Sequence, residues 1–200
     1  MIDDFLFVSG WAGYPELFPS LAGKGEFMLP FVRHAEREVF DRLDASTAST
    51  LIGWSTGAHM ILKRWSRVVN RFERIILLAP FLAFTDHTPE KAVRLMIRGM
   101  RRDPEQVVRR FHANCGYNGR PARCQGDAEG LIAGLEYLCV SRAMPSHLGG
   151  RKTILVHGEH DRIVSAQATE DIREVMPDAS CQTLACGHYI SGYDLVDIAV

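Results

Sequence analysis

The chain has 200 residues, 46% of them hydrophobic, and a formal net charge of −1, enough for one domain (residues 1–200) with a substantial core. No run approaches the ~18 apolar residues of a membrane span, and Met1-Ile2-Asp3-Asp4 is acidic, unlike a secretory signal. The five cysteines are odd in number and lack paired metal-ligand spacing, which fits a reduced, cytoplasmic protein with free thiols.

Along the chain, apolar strands alternate with amphipathic segments. Phe5–Val8 reads as a strand ending at Ser9-Gly10-Trp11-Ala12-Gly13, Glu26–Val32 as a second, and His34–Leu43 as a polar helix. Ala48–Ile52 leads into Gly53-Trp54-Ser55-Thr56-Gly57, after which Ala58, Ile61, Leu62, Trp65 and Val69 mark one stripe of a helix. Arg74–Pro80 is a further strand. The pattern then changes, and residues 86–145 read as an all-helical insertion. Thr88-Pro89-Glu90 and Asp103-Pro104-Glu105 carry the signature of a cap followed by proline in the first turn. Leu131, Ile132, Leu135 and Leu138 mark a third helix. Thr153–His157 and Ser180–Ala185 resume the strands. Strands separated by helices imply a mostly parallel sheet flanked by helices, with ligands bound outside the carboxyl ends of the strands.

Chemistry concentrates at three of those ends. Gly53-x-Ser55-x-Gly57 between a strand and a helix is the pattern of a nucleophile elbow: the glycines permit a turn too tight for a Cβ, and Ser55 lies where helix N–H groups favour developing negative charge. Such an elbow predicts an acid and then a histidine on later strand ends. Asp161, in Gly158-Glu159-His160-Asp161, and His188, in Cys186-Gly187-His188-Tyr189, meet that order. A helical insertion between the strand after the nucleophile and the strand before the acid would form a lid over the site. His157, His160 and Asp161 lack the further ligands of a metal site.

The insertion is lopsided in charge. From Lys91 to Arg123 the cations Lys91, Arg94, Arg98, Arg101, Arg102, Arg109, Arg110, Arg120 and Arg123 face only Asp103 and Glu105. So many cations with so few anions leave little scope for local pairing and point to an acidic partner. No stacking aromatics interleave with the arginines, which argues against nucleic acid.

These pieces resemble the α/β-hydrolase fold, here N-terminally shortened and carrying a small helical lid. Within it the chain resembles the pimeloyl-acyl-carrier-protein methyl ester esterases of biotin synthesis. The shared features are Gly53-Trp54-Ser55-Thr56-Gly57, Gly10-Trp11, Gly134-Leu135-Glu136-Tyr137-Leu138 and the basic lid. The resemblance implies a serine carboxylesterase that releases methanol and needs no metal or organic cofactor. Ser55 would be the nucleophile, His188 the general base and Asp161 the orienting carboxylate, with the Trp11 and Thr56 N–H groups as oxyanion donors. Phe111, His112, Ala113, Asn114 and Cys115 would line the acyl pocket, and Arg98, Arg101, Arg102, Arg109 and Arg110 would dock an acidic acyl carrier protein. Trp11 and Trp54, flanking the two donors, are expected as pocket walls. The chain departs from the family at Ser9 (usually His), Ala12 (usually Gly) and Thr56 (usually Leu), which bears on substrate rather than on chemistry. A generic small-ester esterase, an acyl thioesterase, or a hydrolase scaffold reused for binding share the same catalytic residues.

Overall fold

The inner strands are continuous apolar runs because both faces of the sheet are covered there. In β1 (Phe5–Val8), Phe5 and Phe7 enter one core, and Leu6 and Val8 the other. The same alternation divides Ile52 and Trp54 from Leu51 in β3 (Thr50–Trp54), and Ile76 and Leu78 from Ile75 and Leu77 in β4 (Arg74–Leu78). Strands buried on both sides belong in a parallel sheet sandwiched by helices. With β2 (Glu26–Met28), β5 (Thr153–Gly158) and β6 (Ser180–Leu184), the described strands form one parallel sheet in the order β2-β1-β3-β4-β5-β6. The structure is a computed structural model and describes residues 4–21, 23–120, 124, 126–144, 150–192 and 198. Met1, Ile2 and Asp3, Arg123 of the basic run, and Pro145 at the end of the insertion lie outside the described residues.

The strand order creates the site. The chain leaves β1 toward β2 on one side and leaves β3 toward β4 on the other. At the carboxyl ends of the adjacent β1 and β3 the connections therefore diverge, opening the crevice that such sheets use for ligands. The loop after β1 carries Ser9–Gly13 and the turn after β3 carries Ser55.

The expected second strand is shorter than its apolar run. It stops at Met28 because Pro30 has no N–H to continue a ladder and Phe31 turns the backbone to φ 65°. The helix after the elbow is likewise broken at Arg64 into α2 (Thr56–Lys63) and α3 (Trp65–Val68). On that face, α1 (Glu36–Ala45) is joined to α2 by Lys63–Glu36 at 2.7 Å. Between β4 and β5 lie α4 (Glu90–Met100), α5 (Pro104–Asn114) and α6 (Ala128–Val140), and α7 (Ala166–Val175) links β5 to β6. The Asp103 side chain accepts from Gln106 N–H at 2.9 Å, so this sequence cap is used as such. Among the described residues, no helix is long and apolar enough to cross a membrane.

Candidate active site

Ser55 sits in a strained turn. Its backbone is at φ 55° and ψ −116°, a region that side-chain-bearing residues rarely occupy, and its N–H donates to Leu78 O at 2.8 Å. The turn closes because two neighbours lack a Cβ. One on Gly53 would lie 2.7 Å from Ala58 Cα, and one on Gly57 only 2.0 Å from the Val8 carbonyl oxygen. Packing α2 this close against the end of β1 aims the first-turn N–H groups at the crevice. Thr56, first in the helix, has no intrahelical acceptor for its N–H.

Three residues meet there, Ser55 lying more than a hundred positions before the other two. Ser55 Oγ lies 3.0 Å from His188 Nε2, and His188 Nδ1 lies 2.7 Å from Asp161 Oδ2. Facing a carboxylate, Nδ1 carries the proton, leaving Nε2 to accept from the serine hydroxyl. Asp161 Oδ1 accepts from the Ile163 and Val164 N–H groups at 2.7 and 2.9 Å. Burial pushes the Asp161 carboxyl up, but adjacent His188 and these backbone donors outweigh it and hold it below the usual carboxylate range. The acid therefore stays ionised and fixes the imidazole's orientation.

The histidine loop is held from three sides. Trp54 Nε1–H donates to His188 O at 2.9 Å, Tyr189 N–H donates to Cys115 O at 2.9 Å, and His160 N–H donates to Cys186 O at 2.9 Å. This corrects the expectation for Trp54. Its indole is wholly buried and anchors the histidine loop from below instead of walling the pocket. Trp11 does line the cavity. His157 is hydrogen-bonded through Nδ1 to Thr169 Oγ1 at 3.1 Å, inside the fold.

Above Ser55 lies a cavity of about 260 Å³. Trp11, Ser55 and Thr56 form its floor, and Phe84, Val93, Met96, Leu135 and Leu138 its apolar walls. Phe111, Asn114 and Ile163 stand at its far side, with Arg162 the one charged residue of the lining. Of the 111–115 set, only Phe111 and Asn114 face this space, as a spacing of three on a helix requires. His112 turns to the loop after β1, Ala113 is exposed, and Cys115 is buried under the histidine loop with its thiol pushed up by burial. The walls from α4 and α6 escaped the sequence reading as site residues. Their only signal was the apolar stripe of each helix, which a plain core also produces.

Met96, Phe111, Asn114 and Ile163 also line a second hollow of about 640 Å³, which runs outward between α4 and α5. Its rim carries Arg98, Arg102 and Arg110, together with Leu95, which is 61% exposed. The five arginines thus divide. Arg101, 3.9 Å from Glu136, lines a different hollow that Arg98 also borders, and Arg109 is exposed and lines neither.

No protein-family model and no curated protein matches the sequence. Solved structures match the fold. The esterase EaEST from Exiguobacterium antarcticum superposes with a TM-score of 0.67 at 16% identity, over 100% of this chain and 89% of that one. The enol-lactonase from Burkholderia xenovorans LB400 gives 0.68 at 11% identity, over 93% and 84%. BioG from Haemophilus influenzae gives 0.64 at 14%, over 93% and 88%. The chain has the α/β-hydrolase fold, its six-stranded parallel sheet flanked by helices.

Proposed function

We propose that this chain is a serine esterase acting on an acyl ester presented by an acyl carrier protein, with pimeloyl-acyl-carrier-protein methyl ester as the substrate. The observation that carries the reading is an adjoining pair of hollows: an apolar chamber opening on Ser55 shares Met96, Phe111, Asn114 and Ile163 with a groove rimmed by Arg98, Arg102 and Arg110. A short ester needs only the chamber. A substrate tethered to an acidic carrier needs both, one end at the serine and the other among cations. Leu95, exposed on that rim, adds apolar contact area for a protein partner.

The chemistry follows from charge development. Ser55 Oγ attacks the ester carbonyl while its proton passes to His188 Nε2, and Asp161 stabilises the imidazolium so formed. Negative charge gathers on the carbonyl oxygen, where the Trp11 and Thr56 N–H groups would each contribute ~3–4 kcal/mol. Collapse of this tetrahedral species breaks the ester C–O bond, and His188 returns its proton to the departing methoxide. Water, deprotonated by His188, then cleaves the acyl-serine ester and frees the carrier-linked acid. On this reading residues 86–145 are a lid that excludes water from the acyl-enzyme and shapes the chamber. No metal or organic cofactor takes part in these steps.

The test is hydrolysis of pimeloyl-acyl-carrier-protein methyl ester beside a free short ester, with wild type and Ser55→Ala. The expected result is Ser55-dependent turnover of the carrier-linked substrate that weakens as salt rises. Turnover of the free ester alone makes the chain a small-ester esterase. Activity on neither, with Ser55 unreactive to a fluorophosphonate, overturns the hydrolase reading.

A further inference from the structure

The loop after β1, which carries the Trp11 N–H, is not held by the sheet alone. His112, on α5, places Nε2 2.8 Å from the Ala12 carbonyl oxygen. A carbonyl only accepts, so Nε2 bears the proton and Nδ1 is a bare lone pair. Among the described residues Nδ1 has no hydrogen-bond partner, and it is buried. Burial lowers the His112 pKa, which keeps the ring neutral and this tautomer in place. Ala12 is also strained, at φ 50°, and such a conformation persists only where its surroundings enforce it.

A second tie comes from α6. Trp11 Nε1–H donates to the Leu131 carbonyl at 2.7 Å, and Gly134 makes room for the indole, since a Cβ there would lie 3.0 Å from Trp11 Cδ1. Phe111 meets the same ring edge-on at 4.8 Å between centroids. Two of the three helices over the chamber are therefore hydrogen-bonded to adjacent residues of one short loop, and that loop ends in Ser9 Oγ–H donating to Gly13 O at 2.6 Å.

We infer that His112 is a positioning residue for catalysis: through Ala12, and together with the Trp11–Leu131 bond, it clamps the loop bearing the Trp11 oxyanion donor to the helical segment. The inference rests on the hydrolase reading above. The helices then set the transition-state geometry as well as covering the substrate. An opening that carried α5 and α6 away from the sheet would dismantle half of the oxyanion hole.

The experiment compares wild type, His112→Met, His112→Gln and Trp11→Phe on p-nitrophenyl butyrate, with Ser55→Ala as the blank and thermal midpoints recorded for each. Met keeps the length and loses the donor, whereas Gln retains an N–H near the position of Nε2. Losing an oxyanion donor outright costs 10²–10³ in kcat, so a displaced one should cost roughly 10- to 100-fold. The expected result is that loss in kcat for His112→Met, with KM within about twofold, and recovery by His112→Gln to within about threefold of wild type. Trp11→Phe should show a kcat loss of the same kind, and it decides the matter if His112→Met does not fold. Three results overturn the inference while leaving the hydrolase intact: unchanged kcat in folded His112→Met (or, if it does not fold, in Trp11→Phe), a rise confined to KM, or a fall in His112→Gln equal to that in His112→Met. Wild type without Ser55-dependent turnover of this ester or of the carrier-linked one, and with Ser55 unreactive to a fluorophosphonate, overturns the hydrolase reading and this inference together.

Discussion

The ends of β1, β3 and β5 and the helices α4–α6 meet over one cavity, yet they are built on different principles. At the strand ends, backbone sterics decide position. Ser55 occupies a strained turn, Gly57 touches the Val8 carbonyl, and Asp161 is pinned by two backbone N–H groups. In the helices, side-chain stripes decide it. Val93, Met96, Leu135 and Leu138 face inward, while Arg98, Arg102 and Arg110 face the groove. The strand ends should therefore tolerate no change without loss of chemistry. The outer helical faces should tolerate much, with effects confined to binding.

The largest expected effect is at Asp161. Asp161→Asn keeps the size but removes the ionised acceptor, permitting the wrong imidazole tautomer, and should lower kcat by about 10⁴-fold. Steady-state kinetics on a free ester reads this directly, and a loss below tenfold would show that His188 is oriented by other groups. Next comes Gly57→Ala. The new Cβ would fall 2.0 Å from Val8 O, against backbone that cannot move without displacing β1. A loss of about 3 kcal/mol in urea-unfolding stability is expected, and kcat should fall with it. Unchanged stability would mean that the elbow is softer than its contacts imply.

His59 tests where the two regions join. It donates from Nδ1 to Phe81 O at 3.2 Å and accepts at Nε2 from Ser141, just beyond α6, at 2.8 Å. Burial lowers its pKa from 6.5 to about 4. The unfolded chain therefore binds this proton more readily than the folded one. The stabilisation is complete above about pH 6.5 and is lost as the pH falls toward 4, amounting to about 3 kcal/mol. Urea midpoints at pH 7 and 4.5 should fall more steeply for wild type than for His59→Gln, and parallel declines would remove His59 as the cause. The smallest effect belongs to the rim. Arg98→Glu with Arg102→Glu should raise KM for the carrier-linked ester about tenfold and leave kcat on a free ester unchanged. A matching loss on the free ester would place these arginines in the chamber's own architecture.

Legibility in the sequence followed the same divide. The order Ser55, Asp161, His188 could be read because each residue sits in a local pattern that backbone chemistry imposes: a glycine-flanked turn, or a loop closing an apolar strand. Although α4 starts at an N-cap Pro89 with no side-chain cap where Thr88 is expected to serve, the helices of the insertion could be read from their period, and α5 also from its cap at Asp103. Their rotation about their own axes could not. Phe111 and Asn114 reach the chamber, while His112 and Cys115, beside them in sequence, serve the loops below. Nor could the role of Trp54, whose partner His188 lies 134 positions away.

What the sequence determined by itself, then, is everything that depends on near neighbours: strands buried on both faces, an elbow that closes only around glycines, and the types of residue at three strand ends. What tertiary structure alone decided is which sides of the helices meet which loops. A helical stripe records that a face is buried but carries no mark of what buries it. The hydrogen bonds from His112 to Ala12 and from Trp11 to Leu131 exist only once the sheet has brought those surfaces together.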